Sequence, residues 1–314
     1  MCQIPDDHEF TSNVDAVHLN SSSPFQRVEV ALAGRRGFIE YQMQLHHDVF
    51  DDDGNVILHD DFAYFTRRVG SSAFVFLDTR YQRSFHFEDE YPYLGSKQWD
   101  MVKKAMETFG MDDSVKHIFV ISSIPLMFTT SALADVAYWG EREKFSSYHE
   151  VSQSNINLLN LLAQYAHKTS IIAGDVHLFL HARLCPESED QCLEQWVSSG
   201  VSPKSTIAET AVGFVFHSAS IYGSSRVVDN WSFSPLQCNI GTNALFVEMD
   251  SSMERPQFQP VFEPNPTRVF KLKQYVFVDL GNSIAEVSPY IVLTGFISTL
   301  VMILVTPYIA WRLR

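Results

Sequence analysis

Between Tyr290 and Trp311 the chain reads YIVLTGFISTLVMILVTPYIAW, 22 residues without a charged side chain. As a helix this run is roughly 33 Å long at 1.5 Å per residue, which matches the hydrocarbon thickness of a bilayer. In lipid each backbone N–H and C=O must be satisfied within the segment, so a spanning helix is the predicted form. Tyr290 and Trp311 suit the two interfaces, and Arg312 and Arg314 follow. The positive-inside bias then places the C-terminus in the cytoplasm. The expected organisation is a domain over 1–285 on the lumenal or extracellular side. Residues 286–314 then supply the transmembrane helix, with its span at 290–311, and a short cytoplasmic tail.

Other features agree with a domain outside the cytoplasm. Asn20 and Asn230 open Asn-X-Ser sequences, so both are candidate glycosylation sites. Cys185 and Cys192 bracket the polar loop PESEDQ and form a candidate disulfide, with Cys2 and Cys238 left over. A signal peptide is expected for such a domain, yet residues 2–10, CQIPDDHEF, are polar. The formal net charge is −14, which argues against nucleic-acid binding, since that relies on clustered Lys and Arg. There is neither a P-loop nor a GxGxxG sequence.

Patterning along the first 180 residues predicts an α/β layer. Residues 24–46 read as largely helical, and 71–80, SSAFVFLDTR, as a buried strand. Ser96 is the expected cap of a helix whose Trp99, Val102, Met106 and Phe109 fall on one face, ending at Gly110. KHIFVISSIP (116–125) is a second buried strand. Residues 152–167 form a helix with Ile156, Leu159, Leu162 and Tyr165 on one face, feeding the strand that ends at Gly174 and Asp175. Beyond residue 195, shorter runs such as VGFVFHSA, NALFVEM and QYVFVDL suggest a second sheet.

Two clusters carry candidate chemistry. Asp175 and His177 sit where a core strand ends, and ligand groups in open α/β sheets gather at the carboxyl ends of strands. A carboxylate oxygen with an imidazole suits Zn, Fe or Mn. Asp6, Asp7, His8 and Glu9 form the other cluster; its acids raise the basicity of the histidine and can bind cations.

With DDHEF near the start, FLDTR at 76–80, LGSKQW at 94–99, FVISSIP at 119–125, IAGDVH at 172–177 and VSSG at 197–200, the chain resembles alkaline phosphatase D (PhoD), a branch of the calcineurin-like metallophosphoesterases. The resemblance covers residues 5 to about 250. It implies a two-sheet αββα sandwich and hydrolysis of phosphate esters at a dinuclear metal centre. By the same resemblance Asp7, Asp175 and His177 are metal ligands, and His8 is the catalytic acid that assists the leaving alkoxide. The metal ions are divalent or trivalent; Fe, Zn, Mn and Ca are not distinguished. Arg80 is read as a structural ion-pair residue.

The family's first strand carries a metal-binding aspartate and is followed by a GD motif, both ahead of DDH, whereas five residues precede Asp6 here. The chain is therefore expected to be N-terminally truncated, with its first strand or strands missing, and weakly active. Two functions are compatible with these residues: a membrane-anchored, metal-dependent phosphatase, and a catalytically inactive, membrane-tethered interaction ectodomain of the same fold. Partners follow as a phosphate ester and a membrane.

Overall fold

The structure is a computed structural model that describes residues 28–41, 63–80, 93–128, 146, 152–188, 190–199, 226–228, 230–240, 243–250 and 252–262. All of its elements belong to the unit Met1–Glu263. Three α-helices are described: α1 (Val28–Tyr41), α2 (Ser96–Met111) and α3 (Ser152–Ala163). The strands are β1 (Phe65–Val69), β2 (Ser72–Leu77), β3 (His117–Ser122), β4 (Thr169–Ala173), β5 (Leu178–Pro186), β6 (Leu193–Ser198), β7 (Arg226–Val228), β8 (Trp231–Ile240), β9 (Asn243–Glu248) and β10 (Gln257–Phe262).

Eight strands form one mixed sheet in the order β1-β2-β3-β4-β6-β5-β8-β7, and β9 pairs with β10 in a second, two-stranded sheet. β2, β3, β4 and β6 run parallel, while β1, β5, β7 and β8 add antiparallel pairs. This corrects the sequence reading at one point. Among the described strands beyond 195, β6, β7 and β8 join the first sheet, and only β9 and β10 make the second. Two of the runs offered for that second sheet, VGFVFHSA and QYVFVDL, lie outside the described residues, as does the span at 290–311. Among the described residues no helix is long and apolar enough to cross a membrane.

The alternation of β2 and β3 explains the layering. Ala73, Val75 and Leu77 of β2, with Ile118 and Val120 of β3, face one side and are fully buried. There they join the core that α2 supplies with Val102 and Met106, and α3 with Leu159 and Leu162. Trp99 and Phe109 pack against that core from the edge of the α2 stripe. Gly95, with φ 73°, occupies the position before α2 and makes no side-chain cap bond, so Ser96 is the first helical residue rather than the cap. The helix also runs one residue past Gly110, where a Cβ would overlap the Tyr165 ring.

The opposite face is aromatic. Phe65 stacks on Phe76 at 4.4 Å and Phe74 on Phe119 at 5.1 Å. β10 covers part of this face by stacking Phe258 on Trp196 at 4.5 Å and setting Phe262 edge-on to Phe179 at 5.2 Å. Trp196 in turn stacks on His181 at 3.6 Å, whose Nε2 bonds Glu194 at 2.5 Å. Burial pushes the Glu194 carboxyl up, but hydrogen bonds and charge from His181 and Arg183 outweigh it and hold the group below its ordinary value.

On the same face His117 is 5% exposed, and its Nε2 bonds the Ser170 hydroxyl at 3.1 Å. Burial, with the charge of Arg255 second, pushes its imidazole down to about 4. The folded state therefore resists protonation, while the unfolded chain takes up a proton near pH 6.5. The His117 contribution is full above that pH and is lost as pH falls towards 4, by about 3 kcal/mol. His117→Phe should remove this part of the acid limb in urea unfolding followed from pH 7 to 4. An unchanged limb would show that other groups govern acid sensitivity.

Candidate functional site

Because β2, β3, β4 and β6 are parallel, their carboxyl ends share one edge of the sheet. That edge collects Asp78, Thr79 and Arg80 after β2, Ser122 and Ser123 at the end of β3, Gly174 to His177 after β4, and Ser198 and Ser199 at the end of β6. Segments more than 40 residues apart in sequence meet here: Thr79 Oγ1 lies 2.8 Å from Ser123 Oγ and 3.4 Å from Ser122 Oγ.

The four residues after β4 are tightly turned. Gly174 N–H donates to Ser123 O at 3.1 Å, and Val176 N–H donates to Gly174 O at 3.0 Å. With Asp175 between them at φ 73°, this is a γ-turn of the rare positive-φ kind. His177 is also left-handed, at φ 53°, and its N–H donates to Ser199 Oγ at 2.9 Å. Non-glycine residues in this region cost on the order of 1–3 kcal/mol each.

Arg80 is fully buried, and its Nη2 lies 2.6 Å from Asp175 Oδ1. Its backbone N–H donates to Asp78 Oδ1 at 3.0 Å. Gln98, in the first turn of α2, fixes the start of this segment. Its Oε1 accepts from Asp78 N–H at 2.8 Å, and its Nε2 donates to Asp78 O at 2.9 Å and Leu94 O at 3.0 Å.

The predicted residues divide into groups. Asp175 and His177 lie together at the end of β4. Asp7, His8 and Asn20 lie outside the described residues. Asn230, exposed at φ 69° before β8, borders a cleft of about 620 Å³ with Trp231, Asn160 and Glu187. Cys185 and Cys192 are joined in a disulfide with Cα atoms 4.2 Å apart, a closure that contributes about 2.5 kcal/mol in the loop-entropy account. The disulfide lies away from the site. β5 carries the chain away from that edge, and the bridge closes the β5–β6 hairpin at its far end. Cys238 is a buried thiol pushed up to about 12 by burial, so it is inert.

The donor chemistry at β4, one carboxylate and one imidazole, suits a metal ion, but two donors do not complete a tight site. Among the described residues no three His, Cys, Asp or Glu side chains converge closely enough to hold one. Sequence reasoning missed Thr79, Ser123, Ser199 and Gln98. All four lie within the motifs FLDTR, FVISSIP, VSSG and LGSKQW; strand ends were the available signal for Thr79, Ser123 and Ser199, and Gln98, in the first turn of α2, carried none.

No known family's sequence profile matches the chain, and no curated protein matches it. Among solved structures, that of PhoD is similar over 62% of this chain and 38% of its own, with a TM-score of 0.41 and 19% identity. The purple acid phosphatase PPD1 from yellow lupin (Lupinus luteus) seeds is similar over 78% of this chain and 35% of its own, with a TM-score of 0.39 and 12% identity. The chain thus spans well under half the length of either. At TM-scores below 0.5 neither likeness carries weight for function.

Proposed function

We propose that the chain is a metal-dependent phosphatase domain of the alkaline phosphatase D type, hydrolysing phosphate esters weakly at the carboxyl edge of β2, β3, β4 and β6. One observation carries the reading: two consecutive turns hold Asp175 and His177, neither a glycine, in left-handed backbone conformation at the end of a core strand. Strain of this kind persists where surrounding structure enforces it, and it concentrates at functional sites. Asp7 would complete the donor set with Asp175 and His177, and His8 would give its proton to the leaving alkoxide. Metal ions bound there lower the pKa of water and polarise phosphoryl oxygens. The same proposal anchors the domain through 290–311, with the C-terminus cytoplasmic and Asn20 and Asn230 glycosylated.

The inactive, membrane-tethered interaction ectodomain has its own observation in favour. The buried Arg80 guanidinium meets Asp175 Oδ1 at 2.6 Å and so engages one oxygen of a carboxylate that the phosphatase reading assigns to a metal ion.

Hydrolysis of p-nitrophenyl phosphate by the full chain, with Mn²⁺, Zn²⁺, Fe or Ca²⁺ supplied in turn, separates the two. Slow turnover that needs one of these ions, and that falls at least tenfold in His177→Asn, supports the phosphatase. Asparagine tolerates the left-handed backbone, so this variant removes the imidazole without adding strain. Turnover indifferent to that change would move the chemistry elsewhere, and none with any ion would leave the interaction reading. A reporter fused after Arg314 should stay inaccessible from outside intact cells.

A further inference from the structure

We infer that the cleft between α3, the disulfide-closed loop and the start of β8 binds a neutral sugar, at a site separate from Asp175 and His177 and independent of the phosphatase reading. The cleft holds about 620 Å³, within the size range of small-molecule sites. Three stretches far apart in sequence supply its polar groups: Gln153 and Asn160 from α3, Glu187 and Ser188 from the loop between Cys185 and Cys192, and Asn230 just before β8. Three amides, a hydroxyl and a carboxylate offer both donors and acceptors, which a ring bearing several hydroxyls requires. Ile156, Pro186 and Trp231 supply the apolar part of the lining, and this suits the C–H face of the same ring.

The walls are fixed before any ligand arrives. Trp231 Nε1 donates to Asn160 Oδ1 at 3.1 Å; an indole N–H only donates, so the Asn160 amide keeps its NH₂ for a ligand. The disulfide ties the two ends of the Glu187 loop, and Ser232 Oγ donates to Cys185 O at 3.3 Å, joining that loop to β8. A site held in this way gives up little freedom on binding. Charge sets the class of sugar. Among the described lining residues Glu187 is the one charged group; its carboxylate accepts from hydroxyls and repels phosphate, sulfate and carboxylate substituents. The same chemistry has two sources: a separate glycan, or the first sugars of a glycan attached to Asn230, which itself lines the cleft.

Saturation-transfer NMR on the full chain, in a detergent without a sugar headgroup, tests the site. Chain from bacteria that form disulfides carries no glycan and is probed at pH 7 with methyl α-mannoside, methyl β-galactoside, N,N′-diacetylchitobiose and glucose 6-phosphate. At least one of the neutral sugars should show transfer, and glucose 6-phosphate should not. Gln153→Ala and Glu187→Ala, both at exposed positions, should each weaken the bound sugar about fivefold, as the loss of a hydrogen bond does. The inference is overturned by no transfer with any neutral sugar, by binding that neither substitution weakens, or by glucose 6-phosphate binding as tightly as the neutral sugars. Chain from mammalian cells with a glycan on Asn230 distinguishes the sources: if it still takes the free sugar, the occupant is a separate glycan, and if it does not, the attached glycan fills the cleft.

Discussion

Replacing Gln98 with leucine should lower stability by about 3 to 4 kcal/mol and disturb the candidate site at the same time. The residue is fully buried, and its amide serves three backbone groups, Asp78 N–H, Asp78 O and Leu94 O, at 2.8–3.0 Å. Leucine fills similar space but leaves all three groups buried without that partner, at about 1–3 kcal/mol for each unsatisfied group and less where the chain relaxes. Urea unfolding at pH 7 measures the loss. Since Asp78 Oδ1 holds the Arg80 N–H, the variant should also loosen the Arg80–Asp175 pair. A cost under about 1 kcal/mol would mean that the Asp78 segment does not depend on α2.

Gln195→Leu should cost about as much, through a different part of the fold. Gln195, on the helix-facing side of β6, is fully buried; its Oε1 accepts from Leu126 N–H at 2.8 Å and Met127 N–H at 3.2 Å, and its Nε2 donates to Met127 O at 2.7 Å. These bonds tie the segment after β3 to a strand two places away in the sheet. The loss should therefore appear both as about 3 to 4 kcal/mol in urea unfolding and as faster amide exchange at Leu126 and Met127. Unchanged exchange at those two amides would refute the clamp.

Much of the layer was legible because it is periodic. Apolar runs with glycine or polar ends marked β2, β3 and β4, and spacings of three and four marked the faces of α2 and α3. The end of β4 was readable as a site because a carboxylate and an imidazole follow a buried strand directly. Less legible were the strands after β4. LFLHARLCP and LEQWVS alternate as strands should, but nothing local says that β6 slots in beside β4 and leaves β5 outside it. That order is set by pairing between segments about 20 residues apart.

The sequence by itself determined the local terms: where strands and helices form, which face of each is apolar, and that Asp175 and His177 stand at a strand end. Those depend on side chains within a few residues of one another, which periodicity records. Only the tertiary structure decided what Asp175 meets. Its partner Arg80 is 95 residues away in sequence, and the parallel pairing of β2, β3 and β4 sets their carboxyl ends along one edge. Gln98 and Gln195 are likewise unremarkable polar residues in the sequence, and each becomes a buried clamp because folding surrounds it with backbone groups that have no water to bond.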